Sequence, residues 1–280
     1  MNQFLVRFWG VRGSIAVPGP TTAGVGGNTS CVEVRCGDRL LVLDAGTGLR
    51  ALGDELMARG ERRTELLLSH LHWDHIQGLP FFVPLYVPGT ELTILGPAWG
   101  EGGLEGALKR QMAAPGFPVE FADVGASVGS IELRHRSRVQ HGDVTITCAK
   151  LNHPGGVLGY RIDYAGRSLV YATDTEHFEC IDPALRELSR GADLLIYDAQ
   201  YTPEEYPSKL GWGHSTFEAA CELARQAQVG HLALFHHDPR RDDAAVAVIE
   251  ERARECFGKS VAAREGLQIE LVSGGMARAA

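Results

Sequence analysis

His70-Leu71-His72-Trp73-Asp74-His75 gathers three imidazoles and a carboxylate into six consecutive residues, directly after the apolar run Leu66-Leu67-Leu68. Neutral imidazole and carboxylate are the donor set of zinc and similar divalent ions. One such His beside a capping Asp would pass as a surface feature. A cluster this dense at the end of a buried strand leaves several polar groups unsatisfied unless something binds them. The chemistry to expect is metal-assisted.

Such ligands converge only if rigid elements hold them. Period-2 patterning predicts strands over 4–9, 30–35 and 39–43, with Gly37-Asp38 as a hairpin turn. The stretch 18–28 is dense in Gly, Pro and Thr and reads as loop. Together with Arg12, its last residue Asn28 could form a rim for an anion, or the stretch could be a plain connection. A helix is expected over 49–58, a strand over 91–95, a helix over 104–112, and a strand meander over 130–135, 144–151, 157–164 and 167–172. The second half alternates strand 194–197, helix 216–226, strand 231–235, helix 242–257 and strand 267–272, with a small, polar tail 274–280 expected to fray. Mixed strands with helices outside imply an α/β sandwich, and no linker divides residues 1–280 into separate domains.

The bulk numbers narrow the classes. A chain of 280 residues has ample length for one large core. Its net charge of -8 argues against gathering long nucleic acid electrostatically. It does not oppose a small anionic substrate, because metal ions would supply local positive charge. The six cysteines are scattered without a C-x-x-C and are expected to be reduced and buried. Arg7 and Arg12 break the N-terminal segment, and no apolar run reaches membrane-span length, so the expectation is a soluble cytoplasmic protein without a membrane partner.

Three more positions share the setting of the first cluster. His153 follows the strand ending Lys150-Leu151-Asn152, Asp174 follows Tyr171-Ala172-Thr173, and His236 follows Ala233-Leu234-Phe235. Singly, each could be a hydrogen-bonded core group, an N-cap or a loop residue; together they complete two metal sites. Asp44, at the end of strand 39–43, could cap the next helix or accept a proton from a metal-binding imidazole.

The order Asp44, then His70/His72/Asp74/His75, then His153, Asp174 and His236 resembles the metallo-β-lactamase-fold hydrolases across nearly the whole chain. That resemblance implies a four-layer αβ/βα sandwich holding two divalent metal ions, zinc first and manganese or iron as alternatives. By it, one ion takes His70, His72 and His153, the other takes Asp74, His75 and His236, and Asp174 bridges them. His237 competes for the last position, and His236 is preferred because it comes first after the strand. Leu195-Ile196-Tyr197-Asp198-Ala199 and Gly213-His214-Ser215-Thr216 are similar to the ribonuclease Z-like branch, which implies that Asp198 orients His214 as a proton donor. That branch usually carries Glu where this chain has Asp198. The segments Phe8-Trp9-Gly10-Val11-Arg12-Gly13-Ser14 and Gly26-Gly27-Asn28-Thr29-Ser30 resemble bacterial phosphodiesterase-like members.

The implied chemistry is attack on a phosphodiester by a hydroxide shared between the ions, with Asp74 helping to orient it and His214 protonating the departing alkoxide. Ribonuclease Z carries a long arm between the third-motif His and the bridging Asp. Between His153 and Asp174 this chain has only the length of a β-hairpin. A small substrate, such as a cyclic nucleotide or cyclic phosphate, is therefore expected over a transfer-RNA precursor. The alternatives are a lactonase, thioesterase or β-lactam hydrolase on the same ligands, or a non-catalytic metal-binding protein. A homodimer remains open.

Overall fold

A computed structural model describes residues 3–99, 101–272 and 275–279. The first half runs β1 (Phe4–Gly10), β2 (Cys31–Cys36), β3 (Arg39–Leu43), α1 (Gly48–Ala58), β4 (Arg63–Leu67), the one-turn α2 (Trp73–Ile76), β5 (Glu91–Pro97), α3 (Gly103–Gln111) and β6 (Ser127–Leu133). The second half runs β7 (Arg138–His141), β8 (Val144–Leu151), β9 (Val157–Tyr164), β10 (Arg167–Ala172), α4 (Pro183–Ser189), β11 (Leu194–Asp198), α5 (Phe217–Gln226), β12 (His231–Phe235), α6 (Asp243–Cys256), β13 (Ser260–Ala262), β14 (Gln268–Val272) and β15 (Gly275–Ala279). Two sheets result, ordered β15-β14-β1-β2-β3-β4-β5-β6 and β13-β12-β11-β10-β9-β8-β7.

The layering follows from alternation along buried strands. In β3, Leu41 and Leu43 join Tyr160, Ile162, Leu169 and Ile196 in the core between the sheets. Val42 points the other way, onto Leu49, Leu52 and Leu56 of α1. In β10, Leu169 and Tyr171 face the inter-sheet core, while Val170 meets Leu185 of α4 and Leu223 of α5. Strands buried on both faces read as continuous apolar runs, and helices must cover their outer sides. The expected αβ/βα sandwich is the fold observed.

The strands that carry the chemistry pair in parallel: β3 with β4, β4 with β5, β10 with β11, and β11 with β12. Their C-terminal ends therefore lie at a common edge, the place where open α/β sheets bind ligands. Asp44, the His70–His75 loop, Asp174, Asp198 and His236 all stand at or just past such ends.

Several local expectations need correction. The tail is not frayed over 275–279, because β15 pairs antiparallel with β14; residues 273, 274 and 280 of the expected tail lie outside the described residues. Cys180 and Cys256 are exposed, whereas Cys31, Cys36, Cys148 and Cys221 are buried as expected. Asp44 does not cap α1, whose N-cap is Thr47. The N-cap of α5 is Thr216, whose side chain accepts from Ala219 N–H.

Gly78 tests the close approach of the His-rich loop to the β3–α1 turn. A Cβ there would stand 2.0 Å from the Gly46 carbonyl oxygen, backbone that cannot swing away. Gly78→Ala is expected to lower unfolding free energy by about 1–3 kcal/mol. Gly129→Ala, where nothing lies within 4 Å of the new methyl, is expected to be near neutral. Urea denaturation midpoints of the two variants check this, and equal midpoints would contradict the tight approach.

Candidate metal centre

The site assembles in two groups of side chains. The ligating atoms of His70, His72 and His153 lie within 4.8 Å of one another, and so do those of Asp74, His75, Asp174 and His236. Three of the turns that present these groups or their supports are left-handed at residues other than glycine: Asp44 at φ 60, Asp174 at φ 49 and His236 at φ 59. Such backbone costs about 1–3 kcal/mol per position and persists where surrounding structure over-determines it. Here it turns each side chain back over the end of its strand.

The protons on the second group can be assigned from its partners. His75 Nδ1–H donates to Asp44 Oδ2 at 2.7 Å, and His236 Nδ1–H donates to Gln200 Oε1 at 2.9 Å. In the neutral rings both Nε2 atoms are then bare lone pairs. They face each other at 3.3 Å, and each lies 3.2 Å from Asp74 Oδ2 and 3.2 Å from Asp174 Oδ1. Two nitrogen lone pairs and two carboxylates converge with no proton between them. In a dry site that arrangement repels itself unless positive charge sits in the middle. Burial pushes the His75 pKa down, yet with no cation present Asp174, Asp74 and Asp44 outweigh it and hold that pKa well above its usual value, so a proton on Nε2 would supply the positive charge that a cation otherwise brings. Asp74 and Asp174 are held well below the carboxylate range against their burial, Asp74 chiefly by His75 and Asp174 chiefly by His236 and His75.

The first group is less buried. His70 Nδ1 lies 3.1 Å from Ser69 Oγ, and its Nε2 is buried without a hydrogen-bond partner. His153 Nδ1–H donates to the Gly213 carbonyl at 2.9 Å, which leaves its Nε2 bare, 3.1 Å from His72 Nδ1. Burial, reinforced by neighbouring imidazoles, pushes His70 well down, and burial also lowers His72 and His153. All three are thus kept neutral, the form that binds a metal. Asp174 reaches both groups: Oδ2 lies 3.6 Å from His70 Nε2, while Oδ1 faces His75 and His236. The orphaned His70 nitrogen and the proton-free second group fit divalent cations. His72 is exposed and His153 half-buried, so this side opens to solvent.

Asp44 stands behind the ligands as the second-layer acceptor. Fully buried, it takes hydrogen bonds from Ser69 N–H, Ser69 Oγ, Tyr171 Oη and His75 Nδ1. Asp198 at the end of β11 accepts from His214 Nδ1–H at 2.8 Å, and the His214 ring stacks on His236 with centroids 4.9 Å apart. Burial lowers the His214 pKa, but Asp198 outweighs it and lifts the pKa to about 9. His237 turns away from the centre: its Nε2 meets the Ala263 carbonyl, and burial holds its pKa near 3.

The expected rim residues are placed elsewhere. The Arg12 guanidinium is fully buried and donates to the carbonyls of Gly26 and Arg241, locking two loops together. The Asn28 side chain donates to Glu265 and accepts from Thr47 Oγ1. Both are engaged within the protein, which favours the plain connection over an anion rim.

Four supports had no signal in the spacing. Ser14 N–H donates to Asp74 Oδ2 at 2.7 Å, and Gln200 fixes His236 as described. Thr173 Oγ1 donates to Asp174 Oδ1. Glu176, buried, accepts from Tyr206 Oη, Gly211 N–H and Gly213 N–H. It thereby anchors the loop whose Gly213 carbonyl orients His153 and whose next residue is His214. A side chain on Gly213 would strike His153 Nδ1 at 2.1 Å.

Comparison with known proteins agrees with this architecture. The model of the beta-lactamase superfamily domain matches residues 39–237. The ribonuclease Z of Haloarcula marismortui is 26% identical over 313 aligned positions, which cover 94% of this chain and 95% of that protein. In structure, the metallo-beta-lactamase fold protein YhfI from Bacillus subtilis covers 96% of this chain and 100% of its own at 22% identity and a TM-score of 0.73. A diphosphatase from the PhnP family covers 96% of this chain and 98% of its own at 20% identity and a TM-score of 0.70. At those identities the two structures speak for the fold. Since the family match takes in every cage residue but none of the far termini, and the ribonuclease Z likeness runs nearly end to end, the chain belongs to the beta-lactamase superfamily, in its ribonuclease Z-like branch.

Proposed function

We propose that this chain is a metal-dependent hydrolase of small phosphodiesters, cyclic nucleotides and ribose cyclic phosphates among them. The observation that carries the reading is the Asp198–His214 pair, hydrogen-bonded at 2.8 Å and stacked on a cage residue. His70, His72 and His153 would hold one divalent ion, and Asp74, His75 and His236 a second, with Asp174 shared between them. Zinc suits the donors, and manganese or iron share them. Cations held there would bring water to a nucleophilic form near neutral pH and neutralise the phosphoryl oxygens.

The chain's own groups supply the rest. Asp74, fixed by Ser14 N–H, presents a carboxylate oxygen at the cage and can accept a hydrogen bond from water, orienting it. As one ester P–O bond breaks, the leaving alkoxide needs a proton. His214 has committed its Nδ1 proton to Asp198, so Nε2–H is the one it can give. With its pKa lifted to about 9, His214 is charged at neutral pH and able to donate. The products are a phosphomonoester and an alcohol. A thioester hydrolase on the same cage has less need of this acid, because thiolates leave without help. The relative named ribonuclease Z supports phosphodiester chemistry.

The second reading is an RNA-processing endonuclease, favoured by the ribonuclease Z relatives. Against it stand the net charge of -8 and the plain hairpin of β9 and β10 between His153 and Asp174. Turnover of precursor transfer RNA is expected to be negligible beside that of small diesters, lactones and thioesters run in one panel. Faster cleavage of the RNA would favour the second reading, and exclusive lactone or thioester turnover would overturn both.

His214→Ala is expected to cost about 10²–10⁴ in kcat on diesters with alkyl leaving groups. The loss should be far smaller on p-nitrophenyl esters, whose leaving group needs no proton. Equal losses on matched alkyl and aryl substrates would contradict the acid role. Activity on alkyl esters should also fall with rising pH as His214 gives up its proton. Asp198→Asn removes the carboxylate that raises that pKa, so this alkaline limb should move to lower pH by about one unit or more. A pH–kcat profile with the limb unmoved would show that Asp198 does not set the acid.

A further inference from the structure

Large apolar side chains gather beside the loop that carries His70, His72, Asp74 and His75. Trp73 is 82% exposed although it stands between the ligands His72 and Asp74, and Phe81, a few residues on, is 57% exposed. They border a groove of about 620 Å³ whose floor and walls include Leu71, Ile76 and Phe117. Phe81 and Phe117 meet edge to face with centroids 5.7 Å apart, so the wall is a built aromatic surface. Gln111 of α3 donates to the Ile76 carbonyl at 2.6 Å, tying the far wall to the ligand loop. Arg110, exposed on the last turn of α3, is the one charged side chain lining the groove among the described residues.

We propose that this groove receives a planar aromatic group on one ester arm of the substrate, a nucleobase or an aryl ring, and that Trp73 and Phe81 set the preference for it. Three features argue for a ring. The groove borders the loop that carries the candidate ligands, because Leu71 and Trp73, which line it, alternate along that loop with His70, His72 and Asp74. Its volume suits a single ring system with its linker. An indole and a phenyl left in water offer the faces on which any base or aryl group stacks, and the Arg110 guanidinium adds a cation beside them. In a chain of net charge -8, that cation also suits an anionic substrate.

The proposal rests on the phosphodiesterase reading only for where the phosphate lies, so the test separates the two. Three diesters share the p-nitrophenolate leaving group and differ in the other arm: methyl p-nitrophenyl phosphate, bis(p-nitrophenyl) phosphate and the p-nitrophenyl ester of thymidine 5′-monophosphate. The metal-loaded protein is expected to favour an aromatic arm over methyl by about tenfold or more in kcat/KM. In Trp73→Ala and Phe81→Ala that ratio should fall toward unity, while melting temperatures change little because both side chains are largely exposed. A higher rate on the thymidine ester points to a nucleobase, and on the bis-aryl ester to a simple aryl group. Calorimetric titration of phenylphosphonate against methylphosphonate gives a readout free of hydrolysis. Phenyl-selective binding that disappears in Trp73→Ala supports the groove even if no diester is turned over, in which case the phosphodiesterase reading alone fails. An aromatic preference absent from the wild type, or kept in both variants, overturns the proposal. So does loss of a dimer in the variants, seen by light scattering, with the preference intact: the groove would then be covered by a second copy of the chain.

Discussion

The structure depends on a convergence of like groups. His75 and His236 direct bare nitrogens at each other and at two carboxylates, all within 3.3 Å, because their only ring protons are tied to Asp44 and Gln200. Without positive charge at the centre, the cost of desolvating these groups would be compounded by their repulsion. Folding this chain and binding cations are therefore coupled problems, as metal sites generally show. The two-sheet sandwich answers the mechanical half of the problem by bringing strand ends from both halves of the chain to one edge. Asp174 joins the two donor groups because its oxygens point in different directions.

What turns a cage into a candidate enzyme is the shell around it. Asp44 ties His75, Ser69 and Tyr171 into one buried network across the two sheets. Glu176 does similar work on the other side, where one carboxylate gathers Tyr206 and two backbone amides of the His214 loop. A loop without regular structure is thereby held as firmly as a strand end. The orientation of His75 and the placing of the loop that carries His214 follow from these few buried acceptors.

The strands and helices that carry ligands were legible because each obeys a simple rule: apolar period, then a polar residue at the strand end. β8, β9, β10 and β12 stand at the expected residues, and α1, α5 and α6 differ by a residue at their ends. α4 was missed, although Asp182 followed by Pro183 is an N-cap and first-turn signature, and Asp182 does accept from Ala184 and Leu185. β7 is four residues long and β13 three, too short for periodicity to register. The candidate metal ligands were legible because their types are costly to bury unpaired. Arg12 and Asn28 misled for the converse reason. A glycine-rich loop with a cation and an amide suits an anion rim, but Asp243 and Glu265, which hold that loop, lie more than two hundred residues further on. Ser14, Gln200 and Glu176 act through contacts between distant segments, which no local spacing encodes.

Equilibrium metal content tests the central claim most directly. The chelator-stripped protein, titrated with Zn²⁺ and followed by calorimetry and elemental analysis, is expected to take up two ions per chain. Asp174→Ala, which removes the group shared by both sites, is expected to weaken uptake at both. Binding of a single ion, or two-ion binding unaffected by Asp174→Ala, would contradict a paired cage built on that carboxylate.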